Sequence, residues 1–75
     1  MLTVAEAIER VKAIHGEVEV LEVSISTMKV FDDQVAYYHV RSKDEESWYV
    51  DSQSGEVFTT KAFWRRRKLY DRHAW

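Results

Sequence analysis

The sequence has 75 residues with no cysteine and no proline, so it predicts one small domain and excludes disulfides, thiolate metal sites and thiol catalysis. Its net charge of −2 is unevenly distributed: residues 1–60 carry five Lys or Arg against twelve Asp or Glu, and residues 61–75 carry six against one. No apolar run approaches the roughly 20 residues that cross a bilayer, and no secretion signal is visible, which predicts a cytoplasmic location by default. We divide the chain into a domain, residues 1–60, and a basic aromatic segment, residues 61–75.

The first predicted element is a helix that begins after Thr3. Thr3 and Glu6 have the spacing of a capping box, in which each side chain accepts a hydrogen bond from the other residue's amide. Gly16 lies where a left-handed C-cap is expected. Between these signals, apolar residues recur at helical spacing and form one stripe for burial: Val4, Ala7, Ile8, Val11 and Ile14.

Residues 17–28 alternate between apolar and polar side chains, which predicts a first strand. The phase of the alternation changes between Val20 and Leu21. A β-bulge there would bring both apolar sets to the same side of the sheet; alternatively, the strand begins only at Leu21. Residues 29–34 are predicted to form a loop, with Phe31 as a candidate plug for the core.

Two aromatic strands follow, joined by a solvated turn at the charged residues 43–46. Residues 35–42 have apolar side chains on both faces, so we expect a helix to cover one face and the other to remain aromatic. On the aromatic face we place three candidate partner-binding residues: Tyr37, His39 and Tyr49. The predicted fold is α+β, with an N-terminal helix packed on a three- to four-stranded antiparallel sheet and a basic C-terminal helix or arm.

A tight turn then leads into a short last strand. Asp51 can bond forward to the backbone, and Gly55 can take the positive φ that closes a bulged hairpin. The order T-V-A-E-A-I, then Y-Y-H-V, then W-Y-V-D-S-Q-S-G-E-V-F resembles the PepSY domain over roughly residues 3–59. In that family the last hairpin carries D-x-x-(T/S)-G-E-V and an apolar residue, the positions of Asp51, Ser54, Gly55, Glu56, Val57 and Phe58 here.

The resemblance has implications for function and location. PepSY domains are non-catalytic modules, found in propeptides that restrain metallopeptidases and in cell-envelope proteins. The resemblance therefore implies a domain that binds another protein in an inhibitory or regulatory role, in the envelope or outside the cell. The basic segment, residues 61–75, lies outside the family pattern.

The basic segment, K-A-F-W-R-R-R-K-L-Y-D-R-H-A-W, allows two interpretations. In the first, it is a helix that docks Phe63, Leu69 and Tyr70 on the sheet while its arginines pair with the acidic domain. In the second, it is a contact surface, because cations flanked by aromatic rings suit single-stranded nucleic acid, an anionic membrane or a partner's groove. The candidate contact residues are Trp64, Arg65, Arg66, Arg67, Lys68 and Trp75.

The sequence offers no arrangement for catalysis, a cofactor or a metal ion. No two of His15, His39 and His73 are spaced to hold a metal from one helix face, and the turn after Asp51 lacks the ligand spacing of a calcium loop. We therefore expect no enzyme. The leading hypothesis is a protein-binding module; the alternative is a nucleic-acid-binding accessory protein that acts through residues 61–75. A third hypothesis is a homodimer that pairs through an open sheet edge.

Overall fold

The computed structural model describes residues 1–30 and 32–73, with every side chain in that range except those of residues 30 and 70–73. The predicted role of Phe31 lies outside the described residues. The elements follow in the order α1 (Val4–His15), β1 (Val20–Val30), β2 (Asp33–Ser42), β3 (Ser47–Asp51), β4 (Val57–Thr59) and α2 (Thr60–His73). The four strands form one antiparallel sheet in chain order. The predicted α+β fold is confirmed, and the described part of the basic segment is a helix.

α1 begins and ends where the sequence predicts. The Thr3 amide donates to the Glu6 carboxylate at 3.0 Å, the Glu6 amide donates to the Thr3 hydroxyl at 3.2 Å, and the Gly16 amide donates to the Lys12 carbonyl. The apolar stripe is shorter than predicted. Its middle residues are buried or half-buried, whereas Val4 and Ile14 are exposed. α1 packs chiefly on β2 and β3.

The change of phase in β1 is a β-bulge, which is the first of the two alternatives that the sequence left open. Val20 pairs with Ser42 and Glu22 pairs with Arg41, so Leu21 is the additional residue. Val20 and Val23 both pack against the core beneath α1, but Leu21 and Ile25 are exposed, so the predicted inward position is wrong for these two residues. The predicted loop at residues 29–34 is also wrong. β1 and β2 continue through most of these positions: Lys29 pairs with Gln34, and Val30 pairs with Asp33.

The sheet has a buried cluster on each face, because successive side chains of a strand point to opposite sides. The cluster under α1 contains Ala7, Val11, Tyr38, Val40, Trp48 and Val50. The cluster on the other face contains Met28, Tyr37, Tyr49 and Phe63. Both faces of the two inner strands are therefore covered, where we expected one face to remain aromatic.

α2 lies across the second face of the sheet and is fixed at its first turn. The Thr59 hydroxyl accepts from the Ala62 amide at 3.2 Å, and the Thr60 hydroxyl donates to the Ser47 carbonyl at 3.0 Å. Phe63 is 1% exposed, as the docking interpretation predicts, whereas Leu69 is 54% exposed and the prediction that it docks is wrong. The side chain of Tyr70 lies outside the described residues. α2 contacts β4, β3 and β1.

The hairpin turn between β3 and β4 has the predicted construction. One carboxylate oxygen of Asp51 accepts from the amides of Gln53 at 2.8 Å and Ser54 at 3.1 Å. Gly55 has a φ of +78° and donates its amide to the Asp51 carbonyl. A Cβ at Gly55 would lie 3.0 Å from the guanidinium carbon of Arg10, so the Arg10 side chain of α1 contacts this turn.

Among the described residues, no helix is long and apolar enough to cross a membrane.

We expect Gly55→Val to lower the free energy of unfolding by about 1–3 kcal/mol, because a β-branched residue is strained at positive φ. Gly55→Asn should cost less, since asparagine tolerates this conformation, and both variants must displace the same flexible Arg10 side chain. Urea denaturation followed by circular dichroism measures both. Equal losses in the two variants would contradict a conformational origin.

We expect Phe63→Ala to destabilise the protein by about 3–5 kcal/mol, because it removes a buried ring from the contact between α2 and the sheet. Leu69→Ala, on the same helix, should change stability by no more than about 0.5 kcal/mol. Both are measured by urea denaturation. Similar losses at the two positions would mean that the docking of α2 does not depend on Phe63.

Candidate interaction surface on α2

The outward side of α2 presents three cations around an exposed tryptophan. Lys61, Trp64, Arg65 and Lys68 are spaced at 0, 3, 4 and 7 residues, and at 3.6 residues per turn they fall within an arc of about 100°. Phe63, which holds the helix on the sheet, lies on the opposite side. The four residues line a shallow depression of about 240 Å³. We call them the outer face of α2.

The three consecutive arginines of α2 have different surroundings. Arg65 lies on the outer face and is exposed. Arg67 places its guanidinium carbon 5.1 Å from the centre of the Trp64 ring, and Arg66 lies 5.2 Å from the centre of the Phe58 ring. Both distances are within the range of cation–π attraction. Arg66 and Arg67 are half-buried, and each packs its guanidinium on one aromatic ring.

The candidate contact residues of the basic segment are therefore only partly brought together. Trp64, Arg65 and Lys68 share the outer face, and Trp75 lies outside the described residues. Lys61 also belongs to this face, and the sequence-based list missed it. Its helical spacing from Trp64, Arg65 and Lys68 was the signal that could have identified it.

The three candidate residues on the sheet lie beneath α2 and not on an open surface. Tyr37 is 1% exposed, Tyr49 is 5% exposed and His39 is half-buried. The Tyr49 ring is parallel to that of His39 at 4.3 Å between centroids and to that of Phe63 at 3.7 Å. Tyr37 meets Phe63 edge-on at 5.1 Å. The prediction of an accessible aromatic face is corrected, because α2 supplies the ring that covers it.

Burial also changes the acid–base properties of this aromatic stack. It lowers the pKa of His39, and the nearby Arg41 charge lowers that pKa further while Glu22 partly opposes the change. The His39 Nε2 atom is buried and has no hydrogen-bond partner among the described residues. Burial raises the pKa of the Tyr49 hydroxyl, partly offset by the charge of Arg67. Both groups are therefore held in their neutral forms around pH 7.

Some acidic side chains of the domain, residues 1–60, are paired with cations of the same domain. Three exposed ion pairs join Glu22 to Arg41, Glu19 to Lys43 and Glu17 to Lys12, at 2.9, 3.4 and 3.9 Å. The turn at residues 43–46 is exposed, as predicted, and bears two further glutamates. A polar depression of about 480 Å³ lies beside this turn, where His15 stacks on Trp48 at 5.0 Å. Within the described ranges, no three His, Asp or Glu side chains gather to hold a metal ion.

Comparison with known proteins adds no relative: no family model, no curated protein and no solved structure matches the chain. The properties of the outer face of α2 therefore follow from its residues and their geometry alone. This face combines positive charge and one exposed aromatic ring on a helix whose opposite side is packed on the sheet by Phe63. Such a surface attracts anionic groups.

We expect the stability of the protein to fall as the pH is lowered below about 6.5, with His39 as one cause. Because its pKa is lower in the folded state, the unfolded chain binds the proton first. The contribution of neutral His39 to the free energy of unfolding is complete above the ordinary histidine pKa of 6.5. It is lost as the pH falls towards the lower pKa of the folded state.

The measurement compares urea unfolding of the wild type and His39→Gln at about pH 7.5 and about pH 5. The wild type should lose more stability between the two pH values than the variant does. All other titrating groups are common to both proteins and cancel in the difference. Equal pH dependence would show that His39 does not carry this effect.

Proposed function

We propose that the protein is a non-catalytic binding module, and that the outer face of α2 docks an acidic segment of a partner protein. The observation that carries this proposal is the placement of three cations around Trp64 on the exposed side of a helix whose opposite side is buried. The partner chemistry is a short stretch rich in Asp or Glu with at least one apolar side chain for the Trp64 ring.

Trp64 is suited to be the centre of such a contact. Its ring is 46% exposed, and it is held between the edge of Phe63 at 5.9 Å and the Arg67 guanidinium at 5.1 Å. A large aromatic side chain that is already ordered loses little conformational entropy on binding. Tryptophan and arginine are also the residues that most often dominate the energy of protein interfaces.

The distribution of charge favours a short acidic protein segment over a nucleic acid. The outer face spans eight residues of helix, 61–68, over about 10 Å, and offers three cations. A longer polyanion would extend beyond these cations towards a domain, residues 1–60, with a net charge of −7. Nucleic-acid affinity grows with the number of phosphates that are neutralised, and this surface neutralises few.

A regulatory role is the second part of the proposal; it rests on the resemblance of residues 3–59 to the PepSY domain and not on α2, which lies outside the family pattern. The D-S-Q-S-G-E-V hairpin forms the predicted turn, with the Asp51 side chain bonded forward and Gly55 at positive φ. We propose on this basis that the module restrains or regulates the partner it binds. A location in the cell envelope or outside the cell is part of the same proposal.

A nucleic-acid-binding accessory role is the second candidate, and one observation favours it. Trp64 is an exposed ring flanked by Lys61, Arg65 and Lys68, an arrangement on which a base can stack while the cations meet phosphates. The two candidates use the same residues but differ in ligand length and salt dependence. One set of variants therefore tests both.

The first experiment measures fluorescence anisotropy of a labelled eight-residue peptide that alternates Glu and Leu, titrated with the full chain. We expect Arg65→Glu combined with Lys68→Glu to weaken binding at least about tenfold, because each variant residue repels the peptide. Trp64→Ala should weaken it similarly through loss of the aromatic contact. Circular dichroism confirms that each variant is folded.

The matched control is Lys12→Glu combined with Lys43→Glu, which makes the same change in net charge away from α2. These residues belong to exposed ion pairs that contribute little to stability, and the control should bind like the wild type. Equal weakening in both double variants would overturn the assignment to α2. Tight, steeply salt-dependent binding of a labelled single-stranded oligonucleotide, with no peptide binding, would replace the proposal by the second candidate.

A further inference from the structure

β1 leaves one long edge of the sheet open. Among the described strands it pairs with β2 alone, although it is 11 residues long. The opposite edge strand, β4, has only three residues. An unpaired strand presents a row of amide and carbonyl groups to which another strand can add, and a very short edge strand is protected by its length. The two edges therefore differ sharply in their capacity to pair.

The middle of β1 lacks the charged side chains that usually protect an open edge. Residues 23–28, V-S-I-S-T-M, carry no charge, and the nearest charged residues are Glu22 and Lys29. Ile25 is 66% exposed at the centre of this segment. It lies on the same face as Val23 and Tyr38, but α1 packs chiefly on β2 and β3 and leaves it open. An uncharged strand with a β-branched residue at its centre favours pairing with another strand.

We propose that β1 pairs with β1 of a second copy of this chain, antiparallel and with the two-fold axis at Ile25. In an antiparallel pair, opposite side chains lie on the same face, so the axis is perpendicular to the sheet and passes through a residue pair of equal number. Ile25 then faces Ile25 of the second copy, and Val23 faces Thr27. Cross-strand pairs of β-branched side chains stabilise a sheet.

The neighbouring registers are less suitable for physical reasons. An axis at Ser26 would place Val23 opposite Lys29 and would separate the two Ile25 side chains. An axis at Ser24 would shift the pairing into the β-bulge at Leu21, where the strand loses its regular pattern. Centring on Ile25 keeps the bulge outside the paired middle and buries the two exposed isoleucines against each other.

The first test is sedimentation equilibrium of the full chain over a wide range of concentrations. We expect a monomer–dimer equilibrium, and we expect Ile25→Lys to raise its dissociation constant at least about tenfold, because two like charges would face each other. Ile14→Lys is the matched control, since Ile14 is also exposed, at 63%, but lies on α1. A monomer at all concentrations, or a dimer unaffected by Ile25→Lys, overturns the proposal.

A second test uses the absence of cysteine from the chain. Opposite residues in an antiparallel pair have Cα atoms about 4.5–5.5 Å apart, which is within the range that a disulfide bridges. Mild oxidation should therefore convert Ile25→Cys into a covalent dimer, whereas Ile14→Cys should remain largely monomeric. Cross-linking that is no faster at position 25 than at position 14 overturns the register.

Discussion

The contact of Phe63 with Tyr37 and Tyr49 is the interaction on which the second half of the structure depends. The inner strands β2 and β3 carry large side chains on both faces, and α1 can cover only one of them. Phe63 closes the other face by lying parallel to Tyr49 at 3.7 Å and edge-on to Tyr37 at 5.1 Å. Without this ring, two tyrosines would be exposed to water. The basic helix is therefore part of the core of the protein.

The same contact determines which side chains of α2 meet the solvent. Once Phe63 points into the sheet, helical geometry turns Lys61, Trp64, Arg65 and Lys68 outward. Arg66 and Arg67 then lie on the flanks, where they meet the rings of Phe58 and Trp64. A domain of this size is only marginally stable, so a partner bound to the outer face, as proposed above, would also stabilise the packing of Phe63 behind it. Binding would then be coupled to folding through α2.

Local features of the sequence predicted local features of the fold well. The capping box at Thr3, the turn from Asp51 to Gly55 and the bulge beside Leu21 each depend on a few neighbouring residues. The incorrect predictions concern which element covers each face of the sheet. The sequence of a strand with apolar residues on both faces does not reveal whether a helix or a partner covers the second face. The sequence therefore predicts an accessible aromatic surface at Tyr37, His39 and Tyr49, although α2 covers it. Only the packing of α2 resolves this, and it also separates Phe63 from Leu69.

The outer face of α2 and the edge of β1 are different surfaces, and the proposed two-fold axis relates them. Because that axis is perpendicular to the sheet, both copies of α2 lie on the same side of the joined eight-stranded sheet. In the proposed dimer, a partner with two acidic segments would bind both copies at once, and the second contact would form at a high effective concentration. Each outer face offers only three cations and one ring, so we expect a single contact to be weak. The proposed pairing through β1 would raise the overall affinity through avidity without any change in the surface itself.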